Sequence, residues 1–217
     1  MPAESPPQID LTVAIMTVPG REQALDRLLA AIAPLEATIV IDEDRSRNTW
    51  AQYRTCLTTG ELGTHRLVLQ DDALPVEGFA ELAIAALEQR PSRVVCFYTP
   101  ALPAYFGRAM LTARSSGHAW CELVTRGMFT PLVATAWPAG AVVSCVNWRG
   151  HSRGNPMRAD DARVQDWLKA TRKYATATVP CLVDHDEQLP SSLANGGRYS
   201  RRAAILPDTP AGELTIA

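Results

Sequence analysis

Two kinds of apolar spacing alternate along the first hundred residues. Leu11 to Val18, "LTVAIMTV", is a continuous apolar run with β-branched members, which fits a strand buried on both faces. Pro19-Gly20 closes it. Leu25, Leu28, Leu29 and Ile32 then recur at helical spacing until Pro34 stops the pattern. "ATIVIDED" predicts a second buried strand that ends in Asp42, Glu43 and Asp44. The helix after it has Asn48 as N-cap, an inward face of Trp50, Tyr53 and Leu57, and Gly60 at its end. A third strand from His65 runs straight into two adjacent carboxylates, Asp71 and Asp72. Phe79, Leu82, Ala83, Ala86 and Leu87 then predict the inner stripe of another helix, and "SRVVCFYTP" a fourth strand. Strands alternating with helices predict a single α/β, Rossmann-like domain with a mainly parallel central sheet flanked by helices. The carboxyl ends of such strands share one edge, where open α/β sheets bind ligands, so Asp42, Glu43, Asp44, Asp71 and Asp72 are expected to converge on one crevice.

From about residue 101 the rhythm breaks. "ALPAYFGRAMLTARSSG" is punctuated and ambiguous; "AWCELV" and "TPLVATAWPAGAVVS" read as short strands or as a strand and a helix; "NWRGHSRGNPMRA" reads as a polar loop. "DDARVQDWLKATRK" restores helical spacing, with Asp160 or Asp161 as the cap and Val164, Trp167, Leu168 and Thr171 facing inward. "YATATVPCLVDHDEQLPSSL" reads as one more strand and a polar loop. The expected organisation is a lead at 1–10, a ligand-binding half at 11–100, a smaller second half at 101–202 that shapes another substrate site, and a tail at 203–217.

Composition narrows the classes. The 217 residues suffice for one well-buried core, and a net charge of −2 argues against a generally basic nucleic-acid coat. Cys56, Cys96, Cys121, Cys145 and Cys181 are scattered, with no C-x-x-C pair, which predicts reduced thiols rather than a disulfide framework or a zinc knuckle. The proline-rich opening lacks the basic and apolar regions of a signal peptide, and no apolar run approaches the roughly 20 residues of a membrane span. A soluble, cytoplasmic chain is expected. Lys169 and Lys173 are the only lysines, so nearly all positive charge is arginine.

The adjacent acids carry the chemistry. An Asp at a strand terminus commonly caps a turn through backbone amides. Two side by side beneath a low-dielectric sheet edge repel each other, and a divalent metal removes that conflict. Hard oxygen ligands suit Mg²⁺ or Mn²⁺, ions that take one or two protein carboxylates and fill the other positions with water and substrate phosphate. A histidine between Asp184 and Asp186 reads, by itself, as a solvated loop residue.

The order "LTVAIMTVPGR", "VIDED", "LVLQDDALP", "GFAELAIAAL", with the later "DDARVQDWLK" and "VPCLVDHDEQLPSSL", resembles the GT-A glycosyltransferases, small bacterial and bacteriophage members above all, from about Leu11 to Leu193. The resemblance implies a nucleotide-sugar donor, UDP-linked first among them, and a Mn²⁺ or Mg²⁺ cofactor. It implies that Thr17, Pro19 and Arg21 line the nucleotide pocket and that Asp42 or Asp44 reaches the base or ribose. Gln70-Asp71-Asp72 takes the place of the family's acidic metal motif, with Gln70 where an acid is usual. Asp72 is then the metal ligand, and Asp71 contacts sugar or ribose hydroxyls or orients metal-bound water. His185 resembles a further metal ligand. Asp161, with Asp160 as its alternative, resembles the general base that an inverting enzyme needs. Arg198, Arg201 and Arg202 form a basic, glycine-preceded segment suited to a diphosphate. The acceptor is a hydroxyl, with a hydroxymethylated base in phage DNA among those the resemblance invites, because the arginines of "NWRGHSRGNPMR" suit a phosphate backbone.

Two other accounts compete. A nucleotidyltransferase calls for a glycine-rich loop with a lysine after the first strand, and "TVPGREQ" has one glycine and no lysine. A non-catalytic binding module or phage structural protein would use the same acids only as turn caps.

Overall fold

The computed structural model describes residues 8–43, 48–101, 104–123, 131–152, 159–189 and 201–208. The first half runs β1 (Leu11–Thr17), α1 (Glu22–Ile32), β2 (Ala37–Ile41), α2 (Thr49–Thr58), β3 (His65–Gln70), β4 (Ala73–Pro75), α3 (Phe79–Gln89) and β5 (Val94–Cys96). The second runs α4 (Ala104–Ser115), β6 (Trp120–Leu123), β7 (Ala134–Pro138), α5 (Ala139–Val146), α6 (Asp160–Thr171), β8 (Ala175–Thr178) and β9 (Val183–His185), with a 3₁₀ turn at Arg149–Ser152. Seven strands form one sheet in the order β2-β1-β3-β7-β5-β8-β6, while β4 and β9 pair separately.

The α/β class is as expected, but the sheet is mixed rather than mainly parallel. β1 is parallel to β2 and β3, and β5 to β8; β7 is antiparallel to both β3 and β5, and β6 to β8. Hydrophobic spacing reports burial and length, and a buried run reads the same in either direction. β7 comes from the segment assigned to the second half and sits at the centre of the sheet between β3 and β5.

The all-apolar strands are explained by two cores, one on each face. Val13 and Ile15 of β1 and Leu67 and Leu69 of β3 face Leu28 and Ile32 of α1 and Phe79, Ala83 and Leu87 of α3. Ala14, Met16 and Val68 face the other way, among Trp50, Tyr53 and Leu57 of α2, Val142 of α5 and Trp167 of α6. The Trp137 indole donates to the Tyr53 hydroxyl at 2.9 Å, so a polar group within this second core is satisfied. Asn48 caps α2 as expected, its side chain accepting from the Ala51 amide at 3.1 Å. All five cysteines are free and buried.

Three further expectations change. "YATATVPCLVDH" forms two strands, β8 and β9, not one. α6 has Ala159 at its N-cap with no side-chain cap bond, so Asp160 and Asp161 are its first-turn residues rather than its cap. Residues after Ala203 do not begin a tail: Ala204 and Ile205 are buried, and the Cys181 amide donates to the Ile205 carbonyl at 2.8 Å. A four-residue apolar run, Ala203 to Leu206, between Arg202 and Pro207 is too short a pattern to announce burial.

β1 is aligned on β3 through its entry. The His65 amide donates to the Asp10 carbonyl at 3.0 Å, and the Thr64 hydroxyl to the same oxygen at 3.1 Å. Gly63 lies so close that a Cβ there would fall 2.5 Å from the Asp10 carbonyl oxygen. Gly63→Ala is therefore expected to lower stability by about 1–3 kcal/mol as the β1 entry is displaced. A denaturant midpoint unchanged from wild type would contradict this close approach.

Candidate functional site

The two adjacent acids mark the step at which the chain changes sheets. The Gln70 amide donates to the Val133 carbonyl at 2.9 Å and the Asp71 amide to the Met16 carbonyl at 3.1 Å, so the backbone stays in the large sheet through Asp71. From Ala73 it pairs with β9 instead, Ala73 opposite His185 and Leu74 opposite Asp184. The Asp186 amide closes the step by donating to the Asp72 carbonyl at 2.8 Å. Asp71 and Asp72 are thus fixed by main-chain bonds on both sides.

They line a cavity of about 110 Å³ at the carboxyl ends of β1 and β3. Met16, Thr17 and Val18 form one wall, followed by Arg21, and Gln70 joins the two acids on the next. The first turns of α2 and α6 close it with Thr49, Gln52 and Asp160, and Arg201 completes the lining. Gln52 also fixes the wall, its amide donating to the carbonyls of Thr17 at 2.6 Å and Val40 at 3.1 Å.

Asp71 is held on both oxygens. Oδ2 accepts from the Thr17 hydroxyl at 2.6 Å and Oδ1 from the Arg21 guanidinium at 2.6 Å. Both members of the ion pair are largely buried. Burial pushes the Asp71 carboxyl above the usual range; Thr17 and Arg21 oppose the shift, and the Asp72 charge adds to it.

Asp72 meets His185. Asp72 Oδ2 lies 3.1 Å from His185 Nε2, and His185 is 3% exposed, so it is not the solvated loop residue its acidic neighbours predict. Strand alternation explains the difference, since Asp184 and Asp186 fall on the opposite side from His185 and reach Arg202 and Arg27. Among the described residues, Asp72 Oδ1 and His185 Nδ1 are buried without a hydrogen-bond partner. Asp72 lines the cavity and its unsatisfied carboxylate oxygen is a hard donor suited to Mg²⁺ or Mn²⁺, whereas His185 Nδ1 lies on the far side of its ring from Asp72. Among the described residues no group of three or more His, Cys, Asp or Glu is placed to hold an ion.

Asp160 is 7% exposed. Its amide donates to the Thr49 hydroxyl at 3.2 Å, which joins the first turns of α6 and α2. Burial raises its carboxyl pKa against hydrogen bonds from the Asp161 amide and Thr49.

The site residues expected from the sequence are therefore divided. Thr17, Arg21, Asp71, Asp72, Asp160 and Arg201 share the cavity, and His185 touches Asp72 behind it. Pro19 lies in the turn between Thr17 and Arg21, outside the cavity lining, and Asp42 contributes its amide to the Thr17 carbonyl at 3.0 Å rather than its carboxylate to the cavity. Glu43 is exposed, so the acids of β2 do not converge with those of β3 as expected. Asp161 is half-buried beside Asp160 and does not line the cavity. Arg202 is directed to Asp184 at 3.2 Å. Asp44 and Arg198 lie outside the described residues. Thr49 and Gln52 were not expected; their only signal is that they are polar positions within one turn of the Asn48 cap.

No protein-family model matches the chain, and neither does any curated protein. No helix among the described residues is long and apolar enough to cross a membrane.

Proposed function

We propose that the chain is a metal-dependent glycosyltransferase of the GT-A kind, moving a sugar from a nucleotide-diphosphate donor, UDP-linked first among them, to a hydroxyl acceptor. One observation carries the reading: Asp71, Asp72 and Asp160 share a cavity at the strand ends with Arg21 and Arg201. Three carboxylates facing two arginines would repel a diphosphate, and a divalent cation reverses that balance. Asp72 would hold it, with His185 fixing that carboxylate from behind. When bound, Mn²⁺ or Mg²⁺ supplies charge that stabilises the departing diphosphate.

The chain's own residues supply the rest. Arg21 and Thr17 hold Asp71 in one orientation, leaving its outer lone pairs for donor hydroxyls. Arg201 brings a cation to the anionic part of the donor. Asp160 replaces Asp161 as the general base, because it alone of the two lines the cavity and its raised pKa brings it nearer the working pH of a base. The cavity is smaller than the roughly 300–1,000 Å³ of sites that engulf a whole small-molecule ligand. It therefore suits the diphosphate and its immediate neighbours rather than a whole nucleotide sugar. Of the arginines expected to follow a DNA backbone, Arg153 and Arg158 lie outside the described residues, and the acceptor is assigned only as a hydroxyl.

Thermal melts with UDP, a panel of nucleotide sugars and Mn²⁺, separately and together, test the reading. Mn²⁺ with UDP is expected to raise stability beyond either alone, by about 2.7 kcal/mol at a ligand concentration 100 times Kd. No shift with any donor in the presence of Mn²⁺ or Mg²⁺ would overturn it.

A further inference from the structure

We propose that Tyr98 and Glu187 are positioning residues that hold Arg201 in the cavity. The inference rests on the reading that the cavity takes a diphosphate, and it assigns to that site two side chains that lie outside its lining.

The chain downstream of Arg201 is tied to the end of β5 by its backbone. The Ala101 amide donates to the Arg202 carbonyl at 3.1 Å, the Ala204 amide to the Thr99 carbonyl at 2.7 Å, and Pro100 bridges to Ala203. Asp184 adds its carboxylate, accepting from the Ala203 amide at 2.6 Å and from the Arg202 guanidinium. At Arg201 this ladder is replaced by side chains. The Tyr98 hydroxyl donates to the Arg201 carbonyl, and the Arg201 amide donates to Glu187 Oε1 at 2.7 Å. Both polar groups of one residue's main chain are thereby fixed from outside the segment.

Among the described residues, the side chain so placed makes no ion pair. Arg201 lines the same cavity as Asp71, Asp72 and Asp160, yet among the described residues its guanidinium pairs with none of them. Asp71 is already held by Arg21, and Asp72 by His185. An anionic ligand is the partner this arrangement leaves room for.

Tyr98 suits the task chemically. It is 2% exposed, so its hydroxyl donates to the Arg201 carbonyl away from competing water. Its ring centroid lies 6.2 Å from that of His185, so one side chain sits beside His185 and reaches the backbone of Arg201. Arg202, whose guanidinium goes to Asp184, shows the contrast: consecutive arginines are divided between a structural ion pair and the cavity.

Calorimetric titration of inorganic pyrophosphate in the presence of Mn²⁺ tests this on the full chain. Arg201→Ala is expected to weaken binding by tenfold or more. Tyr98→Phe, which removes only the hydroxyl, and Glu187→Ala should each weaken it by about 3- to 10-fold, the range for one lost hydrogen bond. Glu187→Gln keeps an acceptor oxygen and should restore wild-type binding. Glu187 is exposed, so its variants fold even if Tyr98→Phe does not. In the Arg201→Ala background, Tyr98→Phe and Glu187→Ala should have no further effect, a coupling that a general loss of stability would not produce. Wild-type affinity in both Tyr98→Phe and Glu187→Ala, or losses that add fully to that of Arg201→Ala, would overturn the inference while leaving the diphosphate reading intact. A wild-type chain that ignores pyrophosphate with Mn²⁺ would overturn both.

Discussion

Asp72→Asn is expected to reduce sugar transfer by at least about 10²-fold, the scale of losing one preorganised electrostatic contact to developing charge. The substitution changes little else. An asparagine has the same shape, keeps an oxygen or an amide for the His185 ring 3.1 Å away, and leaves the Asp72 carbonyl to accept from the Asp186 amide. The β4–β9 pair should therefore form as before. What is lost is the charge that a cation needs, and Asp71 cannot replace it because both its oxygens are engaged by Thr17 and Arg21. Removing the Asp72 charge also relieves one cause of the raised Asp71 pKa, so Asp71 should titrate lower in the variant. Steady-state transfer assays at saturating donor, with a Mn²⁺ titration, would show a fall in rate and a rightward metal dependence. A variant that turns over donor as fast as its parent would remove Asp72 from the mechanism.

The same two acids show how far the sequence could be read. Asp71 and Asp72 stand out because an uninterrupted apolar strand, buried on both faces, ends in charge. That contrast is local, and so is the pattern of Leu28 and Ile32 or of Trp50, Tyr53 and Leu57, each of which faces a core as the helical spacing predicts. Direction and pairing are not local. β7 enters the middle of the sheet from the far half of the chain, and β4 and β9 are three residues each, too short to show a period. The partner of His185 follows from that pairing, as does the position of Asp184. A choice between Asp160 and Asp161 turns on about 100° of helix rotation, and the inward spacing of Val164, Trp167 and Leu168 already places Asp160 nearer the buried face.

Asp160→Asn is expected to move activity and stability in opposite directions. As general base, Asp160 should carry about 10²- to 10⁴-fold of the rate, and an amide cannot accept the acceptor proton. Its carboxyl has a folded-state pKa above the unfolded value because burial disfavours the charge. Between those two values the folded chain binds more protons than the unfolded one, so wild-type stability falls as pH rises through that window and then levels. Asparagine accepts the same hydrogen bonds from Thr49 and the Asp161 amide without paying for a buried charge. The melting temperatures of variant and wild type should therefore coincide below the unfolded carboxylate pKa and separate toward neutral pH, with the variant the more stable. Asp161→Asn, outside the cavity, should retain most of the transfer rate. Calorimetry at acid and neutral pH, paired with transfer rates for both variants, separates a carboxylate kept for chemistry from one kept for a helix end. A variant that loses stability at neutral pH while keeping its rate would return Asp160 to a purely structural role at the α2–α6 junction.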